Sequence, residues 1–154
     1  MIEIRQLELD DFAAFLELSH TMHAECEPHI TFSDQLLLTR MFDCIGDVKR
    51  MALNAYLAWR NKALIGMAVC TAANGFYTPE LHASMHYWYV LPQYRKTRAA
   101  GELVRAFKRW SKRVGAFRMH IGAERFDPEM AEIVNRMLAK HGFTKYGEQF
   151  YKEL

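Results

Sequence analysis

The chain has 154 residues, 51% of them hydrophobic, and a formal net charge of +2. This size predicts a single domain over residues 1–154 with its own core. Three widely spaced cysteines, Cys26, Cys44 and Cys70, argue against a disulfide framework or a structural zinc site. The early residues lack a secretory pattern, and no apolar run approaches the ~20 residues that span a bilayer, so a cytoplasmic protein without a membrane partner is expected.

The N-terminal part predicts one strand and two helices. Apolar residues alternating from Ile2 predict the strand, and Asp10 is expected to cap the first helix. Residues 22–30 contain a proline and no clear period, which predicts a loop. The second helix is expected to start after Thr31, in a capping-box spacing, and to stop at Gly46.

The middle of the chain predicts three strands followed by a helix. Ala55–Trp59 and Leu64–Ala72 are apolar runs separated by residues 60–62, which is typical of an antiparallel hairpin. Leu81–Val90 is aromatic and almost uncharged, as a central strand would be. Residues 98–113 then show the period of an amphipathic helix.

The C-terminal part predicts a strand, a helix and a last strand. Phe117–Ile121 is apolar enough for the strand, and Asp127 is expected to cap the helix Pro128–Lys140. Gly142 is expected to end that helix, and residues 143–154 to form a strand or hairpin arm. This order predicts an α/β fold with a mixed, mostly antiparallel central sheet and helices on both faces.

Positive charge is concentrated where the central strand passes into a helix, within YVLPQYRKTRAAGEL, residues 89–103. Residues 95–113 hold eight Lys or Arg and one acid, Glu102. Unpaired N–H groups and the helix dipole make such a helix start an anion site, and phosphate is the natural ligand. A solvated helix face is the alternative. The residues expected to contact phosphate are small or cationic: Arg95, Lys96, Thr97, Arg98, Ala99, Ala100 and Gly101.

This junction resembles motif A of the GNAT superfamily, the acyl-CoA-dependent N-acyltransferases. The strand-end pattern V-x-P-x-Y-R is matched by Val90, Pro92, Tyr94 and Arg95. Residues 95–100 fill the pyrophosphate loop, but Arg98 stands where the pattern has glycine. If that position needs a positive φ, Arg98 is strained; if it starts the helix, Arg98 adds a phosphate contact, and the second alternative is favoured.

The resemblance extends over nearly the whole chain, because the element order and the pair Gly142–Phe143 also match the family. Residues 23–34 further resemble short GNAT proteins of tailed bacteriophages. The resemblance implies a GNAT-like fold that binds acetyl-CoA as cosubstrate, with the backbone at Tyr89 and Val90 facing the pantetheine arm. It also implies an amine acceptor, and homodimers are frequent in the family.

The resemblance leaves the catalytic groups open. Many relatives carry a Glu base six residues before the valine of the motif, where this chain has Ser84. Strand alternation places Ser84 and His86 on the face of Val90, which makes His86 the nearest group able to accept a proton at neutral pH. Glu25, in the expected loop that borders the acceptor side, is the other candidate. A hydrogen-bonded core histidine and a solvated surface glutamate are the structural alternatives.

Three functions are therefore compatible with the sequence. The first is an N-acetyltransferase that uses acetyl-CoA, without a metal, on a primary amine. The second is a GNAT-like CoA-binding domain that has lost transfer chemistry. The third is a nucleic-acid-binding module that lays the helix of residues 98–113 on a phosphate backbone, which the near-neutral total charge disfavours.

Overall fold

Five strands form one sheet in a computed structural model that describes residues 1–47, 52–122, 128–147 and 152. The chain divides into two compact units, residues 1–121 and 122–154, and the single domain stays a prediction. The first unit contains β1 (Ile2–Gln6), α1 (Phe12–Cys26), α2 (Asp34–Gly46), β2 (Leu53–Arg60), β3 (Ala63–Asn74), β4 (Leu81–Val90), α3 (Ala99–Arg113) and β5 (Arg118–Ile121). The second unit contains α4 (Pro128–Lys140).

The strands lie in the order β1-β2-β3-β4-β5, and the sheet is mixed as predicted. The first four strands pair antiparallel, whereas β4 pairs parallel with β5. The β2–β3 turn has two residues rather than the expected three, because Arg60 pairs with Ala63. Asn61 and Lys62 both have positive φ, 50° and 66°, the conformation whose twist matches a two-residue hairpin.

Helices cover both faces of this sheet. Leu57 and Ala58 are neighbours on β2 whose side chains point to opposite faces, and both are 0% exposed. On one face α1 packs on β3 and α2 on β2, while α3 crosses β1 to β4 on the other. The apolar side of α3, including Leu103, Phe107 and Trp110, is fully buried there. The predicted fold class is therefore confirmed.

Two helix starts differ from the sequence prediction. The chain first forms a short 3-10 turn, Leu9–Asp11, so that Asp11 rather than Asp10 precedes α1. Ser33 rather than Thr31 caps α2, and its Oγ accepts a hydrogen bond from the Leu36 N–H at 3.2 Å. In both places the observed N-cap residue lies one or two positions after the predicted one, because the position of the cap depends on backbone geometry that composition does not show.

Asp11 fixes the crossing from β1 to α1. Its carboxylate is 3% exposed and accepts two hydrogen bonds from the Arg5 guanidinium, with Nη1 at 2.6 Å from Oδ2. The same Oδ2 accepts the Glu8 N–H at 2.9 Å. The Arg5 guanidinium also lies over the Trp59 ring at 4.9 Å, which ties the crossing to β2.

Asp11→Asn is expected to lower the free energy of unfolding by about 2 kcal/mol, because it removes the charge of a buried carboxylate that accepts two hydrogen bonds from Arg5 and one from the Glu8 N–H. Urea unfolding at pH 7 measures this change. Asp10→Asn is the matched control, since Asp10 is exposed and adjacent, and it should shift stability by less than about 0.5 kcal/mol. Equal losses of stability in the two variants would show that the contact between Asp11 and Arg5 does not stabilise the fold.

The C-terminal unit confirms part of the sequence prediction. The bounds of α4 are those expected, and Gly142, with φ +83°, follows it as predicted. The Phe143 N–H donates to the Leu138 carbonyl at 3.0 Å, which completes the helix end. Residues 143–147 form no strand, contrary to the expectation for the tail, and Asp127 and residues 148–151 lie outside the described residues.

Candidate active site

A β-bulge in β4 decides which side chains share a face. Val69 pairs with Tyr87, but the next residue of β3, Cys70, pairs with Met85. His86 is therefore the extra residue of the bulge, and the alternation changes phase across it. The expectation that Val90 shares the face of Ser84 and His86 is wrong, because it assumed an uninterrupted strand.

The bulge turns His86 toward the side of the sheet that α1 and α2 cover. His86 and Tyr87 both line the cavity on that side. The His86 Nε2 lies 2.7 Å from the Thr71 Oγ1, and Thr71 pairs with Ser84 across the β3–β4 ladder. The three side chains thus belong to one wall. Sequence reasoning missed Thr71, since only the register of β3 against β4 shows it.

A cavity of about 480 Å³ lies between this wall and the first two helices. Its floor is formed by β2 and β3, and its sides by α1, α2 and the connection between these helices. A volume of this size suits a small organic ligand. His86 stands at the edge of a space that an acceptor molecule could occupy.

Glu25 joins α1 to the end of β4. It lies in the last turn of α1, not in a loop as expected. Its Oε2 accepts the Tyr89 hydroxyl at 2.7 Å, and its Oε1 accepts Arg95 Nη2 at 2.6 Å. Arg95 also donates from Nε to the Val90 carbonyl at 3.0 Å. The Arg95 side chain was expected to contact phosphate at the start of α3. It lies instead against Glu25 and the end of β4.

These contacts hold Glu25 in its charged form. Burial raises the pKa of Glu25, but hydrogen bonds from Tyr89 and Arg95 act against it and leave the pKa below its ordinary value. Burial and the neighbouring carboxylate raise the pKa of Tyr89, so its hydroxyl stays protonated and keeps donating. A carboxylate whose two oxygens are occupied and whose pKa is low favours a positioning role over that of a base.

Glu25→Gln is expected to reduce stability by about 0.5 kcal/mol at pH 7, because Arg95 loses the charge of a partner that solvent partly screens. The folded-state pKa of Glu25 lies below the ordinary value of 4.5, so the contribution is present above that pH and is lost as the pH falls through the folded-state value. Urea unfolding between pH 7 and 3 should show the two proteins converging. Glu17→Gln, on the exposed side of the same helix, is the control and should leave the difference from wild type small at every pH.

The N-terminus of α3 has amides that a ligand could use. The Thr97 hydroxyl donates to the Tyr94 carbonyl at 2.6 Å and accepts the Ala99 N–H at 3.2 Å. The first bond from the helix body runs from the Glu102 N–H to the Arg98 carbonyl at 2.9 Å. The amides of Ala100 and Gly101 precede it in the first turn.

Arg98 is accommodated without strain where the family pattern has glycine. Its φ is −81°, and it is the residue that precedes the first helical residue of α3. The alternative that needed a positive φ is thereby excluded. Lys96 and Arg98 are exposed beside the first turn of α3, in contrast to the half-buried Arg95.

The edge of β4 that leads to this helix is open on one side. β5 pairs only with His82–Met85. Within the described part of the chain, residues 86–90 therefore have no strand beside them on the β5 side. An open strand edge can pair with an extended ligand by main-chain hydrogen bonds.

An open strand edge that runs into a helix N-terminus is an arrangement that could hold an extended ligand with an anionic group. The chain belongs to the acetyltransferase (GNAT) family, whose model matches residues 7–143. The resemblance seen at the strand–helix junction is thereby confirmed. No curated protein sequence matches the chain.

Solved structures of similar fold cover almost the entire chain. AAC(6′)-Iy, bound to the bisubstrate analogue CoA-S-monomethyl-acetylneamine, has 18% identity and a TM-score of 0.77, with 100% of this chain and 99% of that chain covered. The ribosomal-protein-alanine N-acetyltransferase of Brucella melitensis biovar Abortus has 18% identity and a TM-score of 0.71, with 99% and 98% covered. The aminoglycoside acetyltransferase meta-AAC0020 from an uncultured soil sample, with sisomicin, has 14% identity and a TM-score of 0.75, with 99% and 96% covered. At these identities the likeness shows the fold.

Two further observations concern the described residues alone. They contain no helix with the length and apolar character needed to cross a bilayer. No three of their His, Cys, Asp or Glu side chains are grouped so that they could bind a metal ion.

Proposed function

We propose that this chain is an N-acetyltransferase that moves an acetyl group from acetyl-CoA directly to a primary amine. The observation that carries the proposal is the continuity of three features: the first turn of α3, the open edge at residues 86–90, and the cavity that His86 lines. A cosubstrate held along the first two would end near the third. Family membership supports the same activity.

The residues at the junction fit the parts of CoA. The amides of Ala100 and Gly101 suit a diphosphate, because they are N–H donors at the positive end of a helix dipole. Lys96 and Arg98 can neutralise its charge from the rim. The main chain at Tyr89 and Val90 is the proposed partner of the pantetheine amides; the Val90 carbonyl already accepts Arg95 Nε at 3.0 Å, so a pantetheine N–H would share or replace that bond. Acetyl-CoA would supply the acetyl group already activated as a thioester.

His86 is the proposed base. An ordinary alkylamine is protonated at neutral pH and must lose a proton before it can attack a thioester. In the tautomer whose Nε2–H donates to the Thr71 Oγ1, Nδ1 is the unprotonated atom that would take this proton. Thr71 would hold the ring in place, and Ser84, opposite Thr71, is a proposed neighbour on the same wall. Glu25 is assigned to hold Tyr89 and Arg95 rather than to accept protons.

Calorimetry with CoA and turnover with a panel of amines, followed as released thiol, test the proposal. Micromolar CoA binding together with amine-dependent thiol release is expected. CoA binding without release for any amine would favour the domain that has lost transfer chemistry. Tight, salt-sensitive binding of duplex DNA without CoA binding would favour the nucleic-acid module.

A further inference from the structure

We infer that the acceptor is a monoamine carried on an apolar, aryl or alkyl, body and is not a polycation such as an aminoglycoside or a polyamine. The inference rests on the proposed function, because it assigns the cavity beside His86 to the acceptor. It depends on three features of that cavity: its apolar lining, the polar side chains that are already hydrogen-bonded within the protein, and the formal charges of the lining residues.

The cavity is lined mainly by apolar side chains. Phe15, Met41 and Met67 line it and are each at most 3% exposed, whereas Ile30 and Leu36 line it with 47% and 56% of their surface exposed. These residues belong to α1, α2, β3 and the connection between the two helices, so the apolar surface continues across several elements. An apolar ligand body placed there would gain the free energy of removing its surface from water, whereas a polyhydroxylated ring would gain little.

Three polar side chains around the cavity are already hydrogen-bonded within the protein itself. The Ser19 hydroxyl donates to the Phe15 carbonyl at 2.8 Å, and the His23 Nε2 lies 2.6 Å from the Ile30 carbonyl oxygen. The Ser33 Oγ accepts the Leu36 N–H at 3.2 Å. A ligand with many hydroxyl and amino groups would find these partners already in use and would leave its own groups unpaired.

The formal charges of the lining residues cancel. Among the described residues that line the cavity, Glu27 is the acidic side chain and Arg40 the cationic one, with His23 and His86 counted as neutral. Arg40 is already paired within the protein, since its Nη1 lies 3.5 Å from the Asp43 Oδ2. A lining with this charge can balance one ammonium group, whereas further ammonium groups on the same ligand would lose hydration without gaining an opposite charge.

The test compares 2-phenylethylamine with spermidine and sisomicin in the acetyl-CoA thiol-release assay. We expect kcat/KM for 2-phenylethylamine to exceed kcat/KM for spermidine and for sisomicin at least tenfold. Leu37→Ala, which removes an apolar side chain from the cavity lining, should lower that kcat/KM about tenfold, mainly through KM. Leu38→Ala is the matched control, because Leu38 is a half-buried leucine on the same helix that does not line the cavity.

Direct calorimetry of 2-phenylethylamine on the CoA-bound protein separates this inference from the proposed function. One outcome is binding of 2-phenylethylamine that Leu37→Ala weakens and Leu38→Ala leaves unchanged, with no release of thiol. This outcome would support the apolar amine-binding site and overturn the proposed transferase activity. Equal or better turnover of spermidine or sisomicin would overturn the inference and leave the transferase standing. Absence of 2-phenylethylamine binding, or equal losses in the two leucine variants, would also overturn the inference.

Discussion

Ala100→Glu is expected to weaken CoA binding about a hundredfold and to leave the folded state at least as stable as wild type. A carboxylate in the first turn of α3 is favoured by the helix dipole, so folding should not suffer. The same carboxylate would oppose a diphosphate at the helix N-terminus, and two like charges ~5 Å apart at an effective dielectric of ~20 cost about 3 kcal/mol. Isothermal calorimetry with CoA, together with urea unfolding, measures the two effects separately.

The first turn of α1 offers the control. Ala13 is exposed and is the second residue of α1, as Ala100 is the second residue of α3. Ala13→Glu should therefore give the same small gain in stability from the helix dipole. It should not change CoA affinity. If Ala100→Glu binds CoA as wild type does, no diphosphate lies at the start of α3, and the assignment of Lys96 to Gly101 to the cosubstrate is wrong.

His86→Gln is expected to lower kcat by a factor of about 10² to 10³ while CoA affinity and stability stay within experimental error. The amide of glutamine can still bond to Thr71, but it cannot accept a proton from the acceptor amine. The side chain is exposed, so its replacement should not disturb the core. Steady-state kinetics with saturating acetyl-CoA, and calorimetry with CoA, make the comparison.

His82→Gln tests whether the effect belongs to this histidine. His82 lies on the same strand but next to β5, where its Nδ1 is 3.4 Å from the His120 Nε2. Its loss should change kcat by less than about threefold. Thr71→Val should give an intermediate loss of kcat, since His86 would remain while its orientation is no longer held. A wild-type kcat in His86→Gln would refute the proposed base.

The strand–helix junction was predictable because its signals are local. An aromatic strand, a proline and a cluster of cations before an amphipathic helix occupy consecutive residues, and the structure places β4 at the predicted Leu81–Val90. The ends of α4 were equally predictable from the sequence, because a proline in the first turn and a glycine after the last turn mark them. Patterns of this kind act over a few residues and need no knowledge of distant contacts.

The composition of the site was less accessible, because its members are far apart along the chain. Arg95 contacts Glu25 across 70 positions, so a cation expected to contact phosphate forms a half-exposed ion pair with α1 in the structure. Gly66 is a similar case: a Cβ there would lie 2.8 Å from the Tyr89 carbonyl oxygen, a close approach between β3 and β4 that composition cannot reveal.

The sequence by itself determined the secondary structure along most of the chain, the mixed sheet and the direct passage from β4 into α3, because hydrophobic period, turn residues and helix ends are encoded by near neighbours. Tertiary structure alone decided which residues line the cavity beside His86. The register of β3 against β4 introduces the bulge at His86, separates Val90 from the face of Ser84 and His86, and brings Thr71 beside the ring. Register is a property of two strands packed together, so it exists only once the sheet has formed.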